Sequence, residues 1–340
     1  MCKVRNLKTK FNLQKNRFIS FLFLCKVLLF INGCKQHNSD EQKISSMKLK
    51  VKIERFEKKF KLIDTLNINK LKGNYSFFFP GNYSDSFWIK KKDDSAYKLL
   101  EDSVSKEFAD IKPIENELTH FFKHLKNQFP SIIMPRVISL INNVDYQNNV
   151  ILADSLLLIS LDCFMGADHH LYKGIPLYVK KNMNKHNLTS KVVEEYAKYI
   201  IDFPKDRSFL SKMVYHGKLL YIKDILMPHH EDSLKIGYTR DQNKWVNENE
   251  VFIWQYMIEK QILFSTKTTL DYRFLMPAPF SKFYLEIDND SPGRIGQWIG
   301  WQIVKSYKDE FPDSKLQEIL SMPSQDLFNK SKYKPRRIWK

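Results

Sequence analysis

Apolar residues recur at helical intervals along much of the chain. The segment "IERFEKKFKLIDTL" carries apolar side chains at Ile53, Phe56, Phe60 and Ile63. In "IENELTHFFKHLKNQFP", one helical face would hold Leu118, Phe121, Phe122 and Leu125. Similar patterns occur in "LEDSVSKEFADI", "LTSKVVEEYAKYIIDF", "FLSKMVYHGKLLYIKDILMP" and "TRDQNKWVNENEVFIWQYMIEKQILF". A repeat of three to four residues is typical of amphipathic helices, so these segments predict a largely helical protein.

Two segments in the middle of the chain have a different pattern. "PRVISLIN" and "NVILADSLLLISLDCF" are rich in β-branched and aliphatic residues, and Asn-Asn pairs and Gly166 bound them. Such runs between turn residues indicate strands of a small sheet. We see no internal repeat and no proline-rich linker after residue 50. The sequence therefore predicts an α+β fold, predominantly helical, with one globular domain over residues 51–340.

The glycine-containing stretch "DSPGRIGQWIGWQIVKSY" could be a phosphate loop or a packed helix. It lacks the spacing of a dinucleotide fingerprint and the Lys-Ser or Lys-Thr pair of a phosphate-binding loop. We expect Asp290 or Ser291 to cap a helix, with Pro292 in its first turn. Gly296 and Gly300 would then lie where a neighbouring element approaches closely. Anion binding at the helix start, near Arg294, is the alternative.

The N-terminus has the pattern of a secretory signal. Residues 1–33 hold seven basic residues and no acidic one, and the apolar run "FISFLFLCKVLLFING" precedes Cys34. "INGC" resembles a bacterial lipobox, in which the cysteine becomes acylated after cleavage. We therefore predict a lipoprotein signal peptide over 1–33, a lipid anchor at Cys34 and a polar tether over 34–50. An uncleaved signal anchor is the alternative.

Composition limits the classes of partner. The chain has 340 residues, of which 43% are hydrophobic, so it can bury a sizeable core. Its net charge is +17. The charge is spread in short lysine groups, without the arginine clusters or aromatic motifs of nucleic-acid modules, so we expect no nucleic-acid partner. A lysine-rich solvated surface explains the charge, with attraction to an anionic membrane as the alternative. Cys163, the cysteine left after acylation of Cys34, lies in an apolar run and should be buried.

The histidines do not form a recognisable metal motif. His120 and His124 are four residues apart, but "HFFKH" lacks the glutamate of H-E-x-x-H. A surface pair is the simpler interpretation. The adjacent pairs are expected in loops and comprise His169, His170, His229 and His230. We predict no metal site and no cofactor.

Several ordered segments together resemble one known family. They are "FEKKF", "FWIKKKDD", "ISLDCFMGADHHLY", "MVYHGKLLYIKDILMP", "GYTRDQNKWVNENEVFIWQYMIEKQILF", "PAPFSKFYLEIDNDSP", "SPGRIGQWIGWQIVKSY" and "LFNKSKYKPRR". They are similar to the gliding-motility-associated lipoprotein GldB family of gliding Bacteroidota. The resemblance implies an envelope lipoprotein needed for gliding motility and for the associated protein-secretion machinery. It does not imply a molecular mechanism.

The family also distantly resembles helical zinc peptidases of the gluzincin type. That resemblance implies a helix with H-E-x-x-H and a later helix with a glutamate ligand before glycine. In this chain Glu194 stands where the catalytic base would be, but Val193 and Ala197 replace the two histidines. Downstream, His216 precedes Gly217 where a glutamate would be expected. We therefore expect at most a degenerate peptidase-like scaffold without the chemistry.

Trp245 and Glu250 complete the candidate interaction residues, alongside Glu194, His216 and Arg294. They lie in a tryptophan-rich helical stretch, and exposed aromatic residues are common at interface hot spots. The leading hypothesis is a non-enzymatic accessory lipoprotein that is anchored to a membrane, faces the periplasm and acts by contacts with other envelope proteins. The alternatives are a zinc-dependent peptidase-like hydrolase and a periplasmic protein that binds a small ligand or a peptide.

Overall fold

The segments rich in β-branched and aliphatic residues form one four-stranded sheet. The computed structural model describes residues 41–277 and 283–335. The strands are β1 (Ile53–Arg55), β2 (Arg136–Leu140), β3 (Val150–Ala153) and β4 (Leu156–Ser160). Their order is β1-β2-β4-β3, with β1, β2 and β4 parallel and β3 antiparallel to β4. The predicted small sheet is confirmed.

The β3–β4 hairpin and the first strand show how local sequence fixes the sheet. Asp154 and Ser155 make the tight hairpin turn, in which Asp154 has a positive φ of 45°. Aspartate tolerates this backbone better than most residues, because its short polar side chain can bond locally. The helical prediction was wrong for Ile53, since this residue pairs with Val137 in the sheet and the helix starts only at Phe56. Strand pairing to β2 overrides the local helical spacing here.

Helices form the rest of the chain. Between β1 and β2 lie α1 (Phe56–Lys61), α2 (Ile68–Asn74), α3 (Asp85–Asp93), α4 (Ser95–Glu107) and α5 (Lys112–Gln128). After the sheet come α6 (Leu177–Lys180), α7 (Lys185–Ile200), α8 (Phe209–Leu226), α9 (Asp232–Ile236) and α10 (Arg240–Glu248). The last helices are α11 (Glu250–Glu259), α12 (Thr269–Phe274), α13 (Ile295–Glu310), α14 (Leu316–Ser321) and α15 (Ser324–Ser331). The predominantly helical α+β class is therefore confirmed.

Residues 50–277 and 283–335 belong to one compact unit by their internal contacts. In the region of the predicted tether, residues 41–46 are helical, while the predicted signal peptide and Cys34 lie outside the described residues. Within the described part of the chain, every helix is too short or too polar to cross a lipid bilayer.

Helices α7 and α8 begin with side-chain caps. Asn184 accepts a hydrogen bond from the backbone N–H of Asn187, and Ser208 accepts one from Ser211. Such caps satisfy N–H groups that have no partner within the helix. Helix α8 buries residues on all sides, which places it in the centre of the helical layer. The long helix expected over "TRDQNKWVNENEVFIWQYMIEKQILF" is interrupted at Asn249, where α10 ends and α11 begins.

Helices α8 and α13 cross with their backbones in direct contact. A Cβ atom on Gly217 would lie 2.2 Å from the carbonyl carbon of Gly300, and one on Gly300 would lie 1.8 Å from the backbone oxygen of Met213. No side chain fits between atoms at these distances. The prediction that Gly300 permits a close approach is confirmed. Gly296 allows a less close one, since a Cβ atom there would lie 3.0 Å from Leu275 Cδ2.

The start of α13 differs from the prediction. The helix begins at Ile295, after the expected cap and proline, and Arg294 precedes it with φ 61° and ψ 19°. This left-handed conformation is unfavourable for an arginine, so tertiary contacts must hold it. Tyr238 donates a hydrogen bond to the carbonyl of Gly293 over 2.6 Å, and the Arg294 N–H donates to Met276 O over 3.3 Å. These contacts fix the entry of the chain into α13.

We expect Gly300→Ala to lower the free energy of unfolding by about 3 kcal/mol, because its Cβ would overlap the Met213 carbonyl and overpacked sites cost roughly 1–3 kcal/mol. Gly73→Ala in α2 is the matched control, since its Cβ would meet nothing within 4 Å. The control should be neutral or slightly stabilising. Urea unfolding of both variants tests this, and equal effects would contradict the close helix crossing.

Candidate functional site

Three of the five residues selected from the sequence line one cavity. The cavity has a volume of about 310 Å³ and lies between α7, α8 and the start of α13. Glu194 comes from α7, His216 from α8 and Arg294 from the residue before α13. His216 directly precedes Gly217, so the helix crossing that brings Gly217 against Gly300 also sets the position of the imidazole.

Glu194 is surrounded by ammonium groups. Its carboxylate oxygens lie 3.2 Å from Lys223 Nζ, 3.4 Å from Lys198 Nζ and 3.5 Å from Lys191 Nζ. Burial by itself would raise the pKa of the Glu194 carboxyl, but these cations lower it well below the ordinary value. The side chain is therefore an ionised member of a cationic cluster.

Lys223 is the most deeply buried lysine that contacts Glu194. Its side chain is 4% exposed, and Nζ donates to Ser190 Oγ over 3.1 Å, to Lys235 O over 2.9 Å and to Glu194 Oε2. Burial lowers the pKa of Lys223 to about 8, although Glu194 opposes this shift. The three acceptors match the three protons of an ammonium group, so the charged form is retained at neutral pH.

Lys235 also lines the cavity and extends the charged network to the carboxylates of Asp224 and Asp232. Its Nζ lies 2.8 Å from Asp224 Oδ1 and 3.3 Å from Asp232 Oδ1. Asp224 also accepts a hydrogen bond from Trp301 Nε1 over 2.7 Å, and Lys305 packs over the Trp301 ring. These contacts join α8 and α9 to α13, and they neutralise Lys235 within the fold.

His216 has a different environment from the lysines. Among the described residues, no hydrogen bond reaches its ring nitrogens, and Tyr215 contacts the ring with centroids 5.2 Å apart. Burial lowers the pKa of His216 to about 4, an effect that Glu194 partly opposes. The imidazole is therefore neutral near pH 7 and can both donate and accept a hydrogen bond in the cavity.

Arg294 is anchored at one end only. Its Nη1 donates to Ile236 O over 3.0 Å, and within the described residues this is the hydrogen bond that its side chain makes. Its Nε is buried without a partner there. Gln297, in the first turn of α13, donates a hydrogen bond from Nε2 to Leu275 O over 2.6 Å. Its side-chain oxygen Oε1 can still accept a hydrogen bond from another group. Arg294 therefore brings positive charge to the cavity wall without a carboxylate of its own.

The site does not fit a catalytic zinc ion. Val193 and Ala197, at the positions of the two histidines, are fully buried apolar residues. Within the described residues, no group of three or more histidine, cysteine or acidic side chains is arranged to hold a metal ion. Zinc needs several such ligands, and lysine ammonium groups around Glu194 would repel it.

The other sequence candidates lie elsewhere. Trp245 lines a separate apolar pocket of about 60 Å³ together with Phe252 and Leu285. Glu250 is buried and accepts a hydrogen bond from Tyr333 Oη over 2.7 Å. Burial and the Glu250 carboxylate raise the pKa of Tyr333. Glu250 therefore ties the C-terminal segment to α11, which is a structural role.

The structure also places the histidines and Cys163 that were noted in the sequence. His120 is exposed but His124 is buried, so the expected surface pair is wrong for His124, which lies on the packed face of α5. Cys163 is fully buried, as expected, and burial raises its pKa. Each adjacent histidine pair begins in a loop, as expected, with His170 opening a short 3₁₀ turn.

Sequence reasoning missed the lysines of the cavity. Lys223 interrupts an apolar run in "KLLYIKDIL", and this charge in an otherwise buried helix was the available signal. Lys191 and Lys198 lie three residues before and four residues after Glu194, which places all three on one helical face. The pairing of Lys223 with Glu194 depends on the packing of α8 on α7, and local spacing does not reveal it.

We predict that His216 makes stability depend on pH between about 6.5 and 4. In this window the unfolded imidazole takes up a proton and the folded one does not, so the free energy of unfolding falls as pH falls. His216→Gln should reduce this loss by up to about 3 kcal/mol. Urea unfolding at pH 7 and pH 4.5 measures it. His120→Gln, at an exposed helix position, should leave the wild-type slope, and an unchanged slope in His216→Gln would contradict the lowered pKa of the His216 imidazole.

Comparisons with known proteins give one match. The sequence profile of a family described as gliding motility protein GldB matches residues 37–335, which is nearly the whole chain. No curated protein and no solved structure matches. The expected family resemblance is therefore confirmed over the region that contains the sheet, the helix crossing and the cavity. The chain belongs to the family of the gliding motility protein GldB.

Proposed function

We propose that this gliding motility protein is a lipid-anchored accessory protein of the cell envelope that acts by contacts with other envelope proteins. The observation that carries the proposal is the family match over residues 37–335. In this proposal Cys34 holds the acyl chains, the folded domain faces the periplasm, and its partners belong to the gliding apparatus and the associated secretion machinery.

The sequence before the domain supports the anchor. A basic segment, an apolar run and "INGC" precede residue 35 in the order that lipoprotein processing requires. A single acyl chain binds membranes weakly, and stable anchoring needs a second chain or a basic patch. Diacylation of Cys34, with an overall charge of +17 on the chain, would meet that requirement.

The surface supports a role in contacts. Around the apolar pocket that holds Trp245, Phe252 is 65% exposed and Leu285 is 58% exposed. Tyr284, beside Leu285, is also exposed, and the Arg273 guanidinium lies over its ring. Clustered exposed aromatic and aliphatic side chains are typical of protein-binding surfaces. The candidate role of Trp245 in an interaction is kept in this proposal.

The electrostatics of Glu194 support a non-enzymatic role. A general base works best with a pKa near the working pH, but the neighbouring lysines lower the pKa of this carboxyl. The neutral His216 in the same cavity has a pKa lowered to about 4, which makes it a weak base as well. Neither group has the proton affinity that hydrolysis at neutral pH would use.

We predict that Cys34→Ala does not restore function in a deletion strain. The variant would lack its acyl chains and lose its place at the membrane, so colony spreading and the yield of secreted proteins should stay near the level of the deletion. Wild type should restore both.

Cys25→Ala is the matched control, since Cys25 lies in the predicted signal peptide and leaves with it. This control should restore spreading and secretion fully. Full rescue by Cys34→Ala, or normal spreading of the deletion strain, would contradict the anchored role.

A further inference from the structure

The cavity between α7, α8 and α13 carries an excess of positive charge. Lys191, Lys198, Lys223 and Arg294 all act on the single carboxylate of Glu194. Glu195 takes up part of this excess through its contact with Lys198, over 2.7 Å. Lys235 is balanced by Asp224 and Asp232 and does not add to it. These four cations and the two carboxylates of Glu194 and Glu195 therefore have a net charge of +2, and Arg294 is the cation among them that has no ion pair with a carboxylate of the described residues.

Three groups on the cavity wall can bind a further anion. Lys198 is 44% exposed and reaches the mouth of the cavity. Arg294 donates a hydrogen bond from Nη1 to Ile236 O, and other N–H groups of its guanidinium can donate to a ligand. The neutral imidazole of His216 has no hydrogen-bond partner among the described residues. A carboxylate accepts hydrogen bonds from all three kinds of donor, and charge-assisted bonds of this type are strong.

An open groove continues from this cavity. The groove has a volume of about 860 Å³, and Phe203 and Tyr215 line both the groove and the cavity. The two rings stand edge to face with centroids 5.0 Å apart, yet Phe203 is 61% exposed. The groove is also lined by Leu320 and Met322, together with polar and charged side chains. A groove with several apolar side chains thus adjoins the cationic cavity.

Lys218 makes the far wall of the groove rigid. Its buried Nζ donates to Leu320 O over 2.9 Å and to Met322 O over 2.6 Å, and these bonds fix the segment between α14 and α15. Burial lowers the pKa of Lys218 to about 8. The wall is therefore held by a buried cation that points at backbone carbonyls, so a ligand would meet a preformed surface.

We propose that the groove and cavity bind an extended, mainly apolar peptide segment of a partner protein that carries one carboxylate, with this carboxylate in the cavity beside Lys198, His216 and Arg294 and apolar side chains against Phe203 and Tyr215. This inference rests on the proposed function in protein contacts and names the chemistry of the partner. A peptide with one carboxylate fits better than a membrane surface, because Asp202 and Asp206 line the groove but not the cavity and would repel the many negative charges of an anionic lipid surface.

The test uses the purified full chain and two fluorescein-labelled peptides. One has the sequence Leu-Phe-Glu-Leu with an amidated terminus, and the other has glutamine in place of glutamate. Fluorescence anisotropy should give a dissociation constant at least ten times lower for the glutamate peptide. Lys198→Gln and Arg294→Gln should each reduce this preference by about tenfold, and Phe203→Ser should weaken both peptides equally.

Arg240→Gln is the matched control, since Arg240 is an exposed arginine that pairs with Glu231 and lines neither the cavity nor the groove. It should leave the preference unchanged. Lys198→Gln keeps the test decisive if Arg294→Gln unfolds, because Lys198 lies at the surface.

Equal binding of the two peptides, or no binding of either at millimolar concentration, would overturn the proposal. Displacement of the glutamate peptide by 10 mM inorganic phosphate or by anionic phospholipid vesicles would overturn it in favour of a phosphate-bearing ligand. The outcome is separate from the deletion experiment. Absence of peptide binding leaves the anchored role of Cys34 intact, and normal spreading of the deletion strain leaves the binding result intact.

Discussion

Two glycines let α8 and α13 cross with their backbones in contact, and the position of the cavity depends on this crossing. Gly217 and Gly300 face each other at distances that exclude any side chain. The crossing places His216 beside the start of α13, where Arg294 enters in a left-handed conformation. It also brings Trp301 within hydrogen-bonding distance of Asp224, which connects the two helices a second time.

The same packing gives the charged groups their properties. Lys223 is held on α8 among buried side chains, so it needs acceptors, and α7 supplies Ser190 and Glu194. A buried cation without such partners would cost several kcal/mol. Glu194 in turn is surrounded by more cations than it can neutralise. Glu194, which the sequence suggested as a possible remnant of a catalytic base, is thus the anionic member of a cationic cluster in this chain.

Much of the fold follows from local pattern, while the site depends on contacts between distant segments. The helical face of α5 and the strands around "VILADSLLLIS" were predicted because period and turn residues act over a few positions. Ile53 and the break at Asn249 were not, since sheet pairing and helix ends depend on tertiary context. Gly300 was recognised as a packing residue because no nucleotide motif accounted for it.

Glu194, His216 and Arg294 were selected from the sequence, but nothing in their spacing indicated that they share a cavity. They lie on three elements, and the packing of those elements brings them together. The lysines were missed because an isolated lysine usually indicates a solvated surface. The burial of Lys223 and its contact with Glu194 identify it as part of the site.

The lysines around Glu194 keep its carboxyl group ionised at neutral pH as the anionic member of a cationic cluster. The most direct measurement is the pKa of its carboxyl group, obtained by following the side-chain carboxyl carbon in an NMR titration of glutamate-labelled protein, with Glu194→Gln identifying the signal. We expect the pKa of the Glu194 carboxyl group to lie clearly below its ordinary value of 4.5. A pKa near 6 or 7, typical of a catalytic acid or base, would contradict it.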